Sequence, residues 1–498
     1  MRVLQVGCGP GGASLARRLL TGARAAGTPL SLTIVDRGAL GFGTGFATPV
    51  ATHLLNTPAD GTSLLAEDEG EFVRWRAARR AWWRPQLAAG DDDAEAAFPP
   101  RRLFGLYVAD VLATAIETAR GAGLTITTRS DEVVRVRRAR AGGFEVLSAA
   151  AGEERFDVVL LALGHSAVQK VDPQLAGEHY HENPWATRTI AADACVAVLG
   201  TRLSAIDTAL ALAADGHRGP IVLASRSGAL PRVKGPVAPH RLQHVPQFVA
   251  EGCATVTLAE VATVVAAEID LTRTVYRSWA EAMPAPPTTT AGLRAEIALA
   301  ASGAHAHWQS VLAALVPWIP DLWRRLDADG QQALSTTYRT PWMTRVASFP
   351  LVSAQRILAL LESGQLRIHG ALEAVQPEGA GYRLAFADGR PPIHADAVVN
   401  ATGPGFGARA LEALPLTREL LADGLASAHP GGGLRVDAGS FALLAPDGTP
   451  QEGLHLIGDL SRSVWGATNT VVGMARQARI LADHVIARVP IAATGKGS

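Results

Sequence analysis

The chain has 498 residues, with 46 basic and 46 acidic side chains and a formal net charge of zero. That balance gives no reason to expect nucleic acid or an anionic membrane as partner, and the length admits two or three domains with a large core. The three cysteines Cys8, Cys195 and Cys253 stand far apart, with no Cys-x-x-Cys or Cys/His cluster, so neither a disulfide framework nor a metal site is expected.

No apolar run reaches membrane-spanning length, and the first strand begins too early for a leader peptide. The expectation is therefore a soluble, cytoplasmic protein. Arg2 to Val6 is apolar and strand-like, and Gly7-Cys8-Gly9-Pro10-Gly11-Gly12 follows at once as G-x-G-x-x-G. A helical run from Ala13 to Leu20 comes next, then a strand from Leu30 to Val35 ending in Asp36. This is a βαβ unit for a dinucleotide. Gly7 allows the tight turn, Gly9 lets the backbone approach a pyrophosphate, and Gly12 lets helix and strand pack closely. The helix N-terminus offers N–H groups to the anion, and Asp36 accepts hydrogen bonds from a ribose.

Farther along, Ala88 to Ala97 holds Asp91-Asp92-Asp93 and reads as a disordered acidic loop. Phe156 to Leu163 is strand-like and runs into Gly164-His165. A second strand–turn–helix signal spans Ala194 to Ala214, with Gly200-Thr201-Arg202-Leu203-Ser204-Ala205 at its turn. Arg202 stands where the second glycine belongs and Ala205 where the third does. Pro220 to Ala224 then leads into Ser225-Arg226-Ser227-Gly228. From about 258 to 365 the pattern is helical and rich in Ala and Leu, with Trp279, Trp308, Trp318, Trp323 and Trp342, and a loop at Pro284 to Thr290. Most of these tryptophans are expected to pack in a core. Ala397 to Asn400 runs into Ala401-Thr402-Gly403, Leu454 to Ile457 stops at Gly458-Asp459, and a last helix spans about Val471 to Ala487.

Taken in this order, these motifs resemble the two-dinucleotide-binding-domain flavoproteins. The resemblance implies an α/β fold of two Rossmann-like domains, the NAD(P)H domain inserted into the FAD domain, with a helical cap. It implies a first FAD segment over 1–190, an NAD(P)H domain over 191–394 with a helical insertion at about 258–365, and an FAD return segment over 395–498. The G-x-G-x-x-G would bind the ADP part of FAD, and Gly403 and Gly458-Asp459 would belong to the return, where the G-D contacts phosphate and ribityl chain. Gly41-Phe42-Gly43-Thr44-Gly45-Phe46, the run from His53 to Ala59, and Phe98 to Arg102 with Gly105 and Tyr107 are similar to a bacterial FAD/NAD(P)-binding subfamily. Some members of that subfamily are amino-acid N-monooxygenases, including enzymes that oxidise aspartate. The subfamily places His53 and Asn56 on a loop near the flavin ring. Gly177, His181 and Trp185 spell G-x-x-x-H-x-x-x-W, which resembles the linker of class B flavin monooxygenases with Leu175 in place of the leading aromatic.

The implied activity is an FAD-dependent, NADPH-using monooxygenase acting with O2 on a small amine or amino acid, aspartate first. The cofactors carry the difficult chemistry, so no catalytic triad is needed. Alternatives are an NAD(P)H-dependent flavin oxidase or reductase, and a flavoprotein without turnover that acts as a binding partner; a homo-oligomer stays open. Arg202 either folds back onto a pyrophosphate or marks a degraded site. Arg226, with Ser225 at the end of its strand, favours a 2′-phosphate and hence NADPH. Arg339 and Arg345, and after them Arg232 and Lys234, are candidates for a substrate carboxylate.

Overall fold

The computed structural model describes residues 1–87, 96–164, 175–185, 187–236, 239–252, 254–272, 285–303, 307–466 and 470–488. Most of the acidic loop, together with His165, Cys253, Trp279 and Pro284, lies outside them. The chain forms two compact units, one of Met1–Ala51, Thr57–Ala167 and Gly405–Ser498, the other of Thr52–Asn56 and Val168–Pro404.

The first unit is built on a six-stranded sheet in the order β18-β19-β7-β1-β2-β3. Its strands are β1 (Arg2–Val6), β2 (Ser31–Asp36), β3 (Thr125–Ser130), β7 (Val158–Leu161), β18 (Ala442–Leu444) and β19 (Pro450–Leu456). All pair in parallel except β18. Parallel strands are covered on both faces, which accounts for the unbroken burial of Val3 to Val6 and Leu32 to Val35. Val6 pairs with both Val35 and Leu161, and Leu161 with Leu456, so the carboxyl ends of β19, β7, β1 and β2 lie side by side. The chain leaves β1 for β2 on one side and meets β7 on the other. The end of β1 is thus the topological switch point where ligands of such sheets bind.

Helix α1 (Pro10–Ala25) buries Leu15, Ala16, Leu19, Leu20 and Ala23, the face its apolar spacing dictates. The last helix, here α4 (Val471–Ile486), packs along α1. A Cβ on Gly22 would sit 2.2 Å from Ile486 Cδ1, and one on Gly11 3.1 Å from Met474 Sδ, so the glycines set this close approach. A small antiparallel sheet of β4 (Val133–Arg138), β5 (Phe144–Ser148) and β6 (Gly152–Phe156) completes the described strands of the unit.

The second unit has a five-stranded, all-parallel sheet in the order β13-β10-β9-β17-β8. Its strands are β8 (Tyr180–His181), β9 (Val196–Leu199), β10 (Ile221–Ala224), β13 (Leu366–His369) and β17 (Ala397–Asn400). Helix α2 (Leu203–Ala214) links β9 to β10. A short parallel pair, β11 (Val233–Lys234) and β12 (Phe349–Pro350), and an antiparallel sheet of β14 (Leu372–Glu378), β15 (Gly381–Phe386) and β16 (Ile393–Ala395) flank it. The described residues between Leu258 and Glu362 are mainly helical. Trp308 is buried in its core with Val265, Ile269, Val311 and Leu315, and Trp318 and Trp342 pack against that cluster.

One segment differs from the sequence reading. Residues 395–404, expected to return to the FAD domain, hold β17, which lies between β9 and β8 of the second sheet. The two units divide at Pro404 rather than near 395, and on the other side at Ala167 rather than near 190. A short, fully buried, mostly apolar parallel strand suits either sheet, so local sequence carried no register information; the pairing of Val399 with Val198 decides it.

His455 on β19 is 2% exposed, and its Nδ1–H donates to Ser440 O at 2.8 Å. Burial pushes its pKa from 6.5 down to about 4; the Ser440 carbonyl pulls the other way, while His484 and Arg488 add to the lowering. The folded protein thus resists a proton that the unfolded chain accepts. The contribution is full above about pH 6.5 and is lost as pH falls toward 4, to a total of about 3 kcal/mol. Urea unfolding of wild type and His455→Gln at pH 7 and pH 4.5 checks this: the wild type should lose more stability on acidification than the variant.

Candidate functional site

The first cradle lies at the end of β1. Gly7 has φ +89, and a Cβ there would stand 2.2 Å from Ala162 O, just past β7. A Cβ on Gly12 would stand 2.4 Å from Gly7 O. Both positions are closed to any side chain by the protein's own backbone. Gly9 differs: its nearest neighbour would be Gly43 Cα at 3.3 Å. The loop Gly41-Phe42-Gly43 is seated against the helix Arg101–Gly121, where a Cβ on Gly105 would meet Phe42 at 2.4 Å. That loop forms one wall of the cradle.

Gly9 is the N-cap of α1 and Pro10 opens the helix; no side chain caps it and no acid occupies its first turn. The backbone N–H groups of the helix N-terminus are therefore not capped by any side chain, the arrangement that suits an anion. Asp36, at the end of β2, accepts Cys8 N–H at 2.6 Å and Gly38 N–H at 2.7 Å. It ties β2 to the glycine turn while its remaining lone pairs stay available to hydroxyls. Burial, then Asp36, pushes the Cys8 thiol up to about 12, so it stays protonated and unreactive.

Two residues that the sequence reading missed brace this end of the unit. Gln5, fully buried on β1, donates through Nε2 to Gly7 O at 3.1 Å and Gly12 O at 2.9 Å. Gln477, fully buried on α4, accepts the Gly458 N–H at 2.7 Å. A glutamine in a strand and one in a helix match no motif; only their burial marks them. Gly458 has φ +93, with nothing within 4 Å of where its Cβ would be. Asp459 is buried, 3.7 Å from Arg462.

The second cradle repeats the first at the end of β9. Gly200 has φ +124, and a Cβ there would stand 2.8 Å from Ala401 O, just past β17. Ala401-Thr402-Gly403 thus borders this turn, and Gly403, with φ +90, has no crowding at its Cβ position. Arg202 takes the N-cap place that Gly9 takes in the first cradle, again with no side-chain cap and no acid in the first turn. Ser204 follows in that turn, its carbonyl engaged by Thr208 Oγ1 at 2.8 Å. Gly200 N–H donates to Ala224 O at 2.7 Å and Thr201 Oγ1 lies 3.0 Å from Ser225 Oγ, which brings the turn carrying Arg226 to the same edge. Arg202 is partly buried, and its guanidinium is held below its usual range by burial first, then by the charges of Arg339 and Arg226. The charges of Arg339 and Arg226 are thus felt by Arg202 at this helix start.

The structure separates the two arginines proposed for a substrate carboxylate. Arg339, at the start of α3 (Arg339–Val346), acts on Arg202. Arg345 is held low by burial and then by Arg232, and donates to Pro341 O at 2.9 Å. Arg232 is buried, pairs with Glu296 at 2.6 Å and lies over the Trp308 ring. Lys234 donates to Asn56 O at 2.7 Å, and burial pulls its ammonium down to about 8. His53, fully buried, places Nε2 3.3 Å from Asp207 O on α2. The 52–56 segment thus sits among residues of the second unit.

The G-x-x-x-H-x-x-x-W segment forms the edge of the second sheet, with His181 opposite Val399. Leu175 is fully buried with Tyr180 and Val398, which fits an aliphatic residue there. His181 is held below its usual range by burial, then by His179. The Trp185 indole N–H is buried with no partner among the described residues.

Residues 5–166 match the model of a family described as FAD-NAD(P)-binding. No match is found among curated protein sequences. Among solved structures, L-lysine 6-monooxygenase from Pseudomonas syringae is similar with a TM-score of 0.61 at 17% identity, covering 98% of this chain and 99% of that one. Ornithine N-hydroxylase from Kutzneria sp. 744, in a structure with reduced FAD, NADP+ and L-ornithine, gives 0.60 at 14% identity and 98% of each chain. A bacillithiol disulfide reductase from Staphylococcus aureus gives 0.53 at 11%, covering 98% and 99%. The fold is that of the two-dinucleotide-binding-domain flavoproteins.

The glycines of the first turn should respond differently to alanine. Gly7→Ala combines a clash with a left-handed φ and should cost about 1–3 kcal/mol or more. Gly9→Ala needs only a small shift of Gly43, so it should melt close to wild type and yet lose most dinucleotide affinity. Thermal unfolding and flavin titration of both variants test this; a Gly9→Ala protein with unchanged flavin affinity would remove the cradle reading.

Proposed function

We propose that this chain is an FAD-dependent, NADPH-using monooxygenase that hydroxylates the nitrogen of a small amine or amino acid, aspartate first among candidates. The observation that carries the cofactor half is the contrast between its two glycine turns. One is open and lacks charge at Gly9. The other opens with Arg202, which is held low by burial first and then by the charges of Arg339 and Arg226. A dinucleotide diphosphate suits the first, and a nucleotide with an additional 2′-phosphate suits the second.

FAD would supply electron transfer and O2 activation, which side chains alone cannot. The backbone N–H groups at the start of α1 would hold its diphosphate. Asp36 would take ribose hydroxyls, and Gly458-Asp459 would border the phosphate and ribityl chain. Arg202 would fold onto the NADPH diphosphate, with Arg226 and Arg339 on the 2′-phosphate. That leaves Arg345 and Lys234 as the cations for a substrate carboxylate, which needs a fixed partner in a site shielded from water. The likeness of fold to an ornithine and a lysine hydroxylase supports oxygenation at nitrogen; the likeness to a disulfide reductase keeps the reaction open to test.

Anaerobic stopped-flow mixing should show the flavin bleached faster by NADPH than by NADH. Arg226→Ala should erase most of that preference, roughly 1–3 kcal/mol for a charge-assisted contact. Under air, a panel of amino acids including aspartate should give a hydroxylamine, nitroso or nitro product by mass spectrometry. Stoichiometric hydrogen peroxide with every amine would mean an oxidase. No bleaching by either nucleotide would mean that the second cradle is not a hydride-donor site.

A further inference from the structure

Trp82, on the short helix Arg80–Trp83, is 41% exposed, while Trp75 on Glu71–Ala78 and Tyr107 on Arg101–Gly121 are buried. The three rings form a line. Trp82 meets Trp75 with ring centroids 6.1 Å apart, and Trp75 meets Tyr107 at 5.4 Å. Beyond Tyr107 come Phe104 at 5.3 Å and then Phe46 at a further 5.1 Å. Phe46 ends the helical turn Gly43–Phe46, whose Gly43 Cα stands 3.3 Å from the Cβ position of Gly9. The line thus runs from the surface to the wall of the first cradle, all of it within the first unit.

A hydrophobic core uses only the shape of such rings. What sets these apart is where their acidic protons point. Tyr107 O–H donates to Glu71 Oε2 at 2.5 Å, and the Trp75 indole N–H donates to Asp110 Oδ2 at 2.7 Å. Arg17 and Arg79 hold the two carboxylates in place. A carboxylate can take a proton as well as a hydrogen bond. The neighbouring Trp83, outside the line, donates instead to the Arg76 carbonyl, which takes no proton. Burial, then Glu71, pushes the Tyr107 pKa up, so the phenol keeps its proton at rest. Tyrosine and tryptophan lose a single electron more readily than phenylalanine, and each becomes strongly acidic when it does. A proton acceptor already in contact lowers the barrier to that loss. Phe104 and Phe46 are then packed medium that an electron crosses between the cradle wall and Tyr107.

We infer that Tyr107, Trp75 and Trp82 form a relay that carries oxidising equivalents from the flavin cradle to the surface. The inference rests on the FAD reading above, and the oxidant it names is the oxidised flavin ring excited by light. Tyr107 gives that ring one electron and passes its O–H proton to Glu71. Trp75 refills Tyr107, which retakes its proton, while the Trp75 indole proton moves to Asp110. Trp82 refills Trp75 in the same way and releases its own N–H proton to water. The balance is one electron gained by the flavin, and one electron and one proton lost by Trp82. The relay keeps the oxidising equivalent away from the cradle's own residues.

A blue laser flash on the FAD-loaded protein, held without O2, should form a tryptophan radical. Transient absorption follows its lifetime, and EPR with ring-deuterated tryptophan identifies it. In Trp82→Phe the radical stops at the buried Trp75 and should recombine with the reduced flavin at least fivefold faster. Trp75→Phe breaks the line and should cut the yield of the Trp82 radical at least tenfold. The melting temperature and FAD affinity of Trp82→Phe should match wild type, since that ring is exposed. Absence of a tryptophan radical in FAD-loaded wild type would overturn the inference. So would a radical in Trp82→Phe with lifetime and yield within twofold of wild type, and that variant decides alone should Trp75→Phe fail to fold. A wild-type protein that takes up no FAD would instead overturn the FAD reading, and this inference with it.

Discussion

Both halves of this protein depend on a carbonyl occupying the space of an absent Cβ. At Gly7 the space belongs to Ala162 O, and at Gly200 to Ala401 O. In each case the intruding carbonyl follows the parallel strand next to the glycine's own. The glycine therefore does more than turn the chain. It lets two neighbouring strands end at the same level and close the floor of a cradle, above which a helix starts with its N–H groups pointing outward. The open N-termini of α1 and α2 follow from that geometry, and so does the switch point in each sheet.

From that shared base the two cradles diverge in charge. The first offers backbone and one carboxylate, Asp36, already engaged with Cys8 N–H and Gly38 N–H. The second offers a guanidinium group in place of a glycine. Arg202 occupies a place where a glycine would leave room, and burial and then the like charges of Arg339 and Arg226 disfavour its charged form. Such an arrangement is costly until an anion arrives. Polyanion binding would relieve that repulsion as well as form new bonds, so it should be steeply dependent on salt.

Much of this was legible in the sequence because its signals are local. The glycine spacing, the helix that follows and Asp36 lie within three dozen residues, and each is read from its neighbours. The departure at Arg202 was legible for the same reason. The role of Arg339 was not, since its approach to Arg202 spans more than a hundred residues and passes through the helical stretch. The sheet to which strand β17 belongs was not legible, because three buried apolar residues and an asparagine carry no address. Gln5 and Gln477 were silent because a glutamine reads as surface until its burial is known.

The division of the chain also bears on how it is made. The first unit needs β19 and α4 from the last hundred residues, and the second needs Thr52–Asn56 from the first hundred. During synthesis β7 must wait, with one edge open, while the whole of 168–404 emerges before β19 can pair with it. An exposed edge strand is a template for wrong partners. The order of translation therefore makes the nascent chain most vulnerable in the interval between residues 161 and 450, when the floor of the first cradle is laid but the outer edge of β7 is still unpaired.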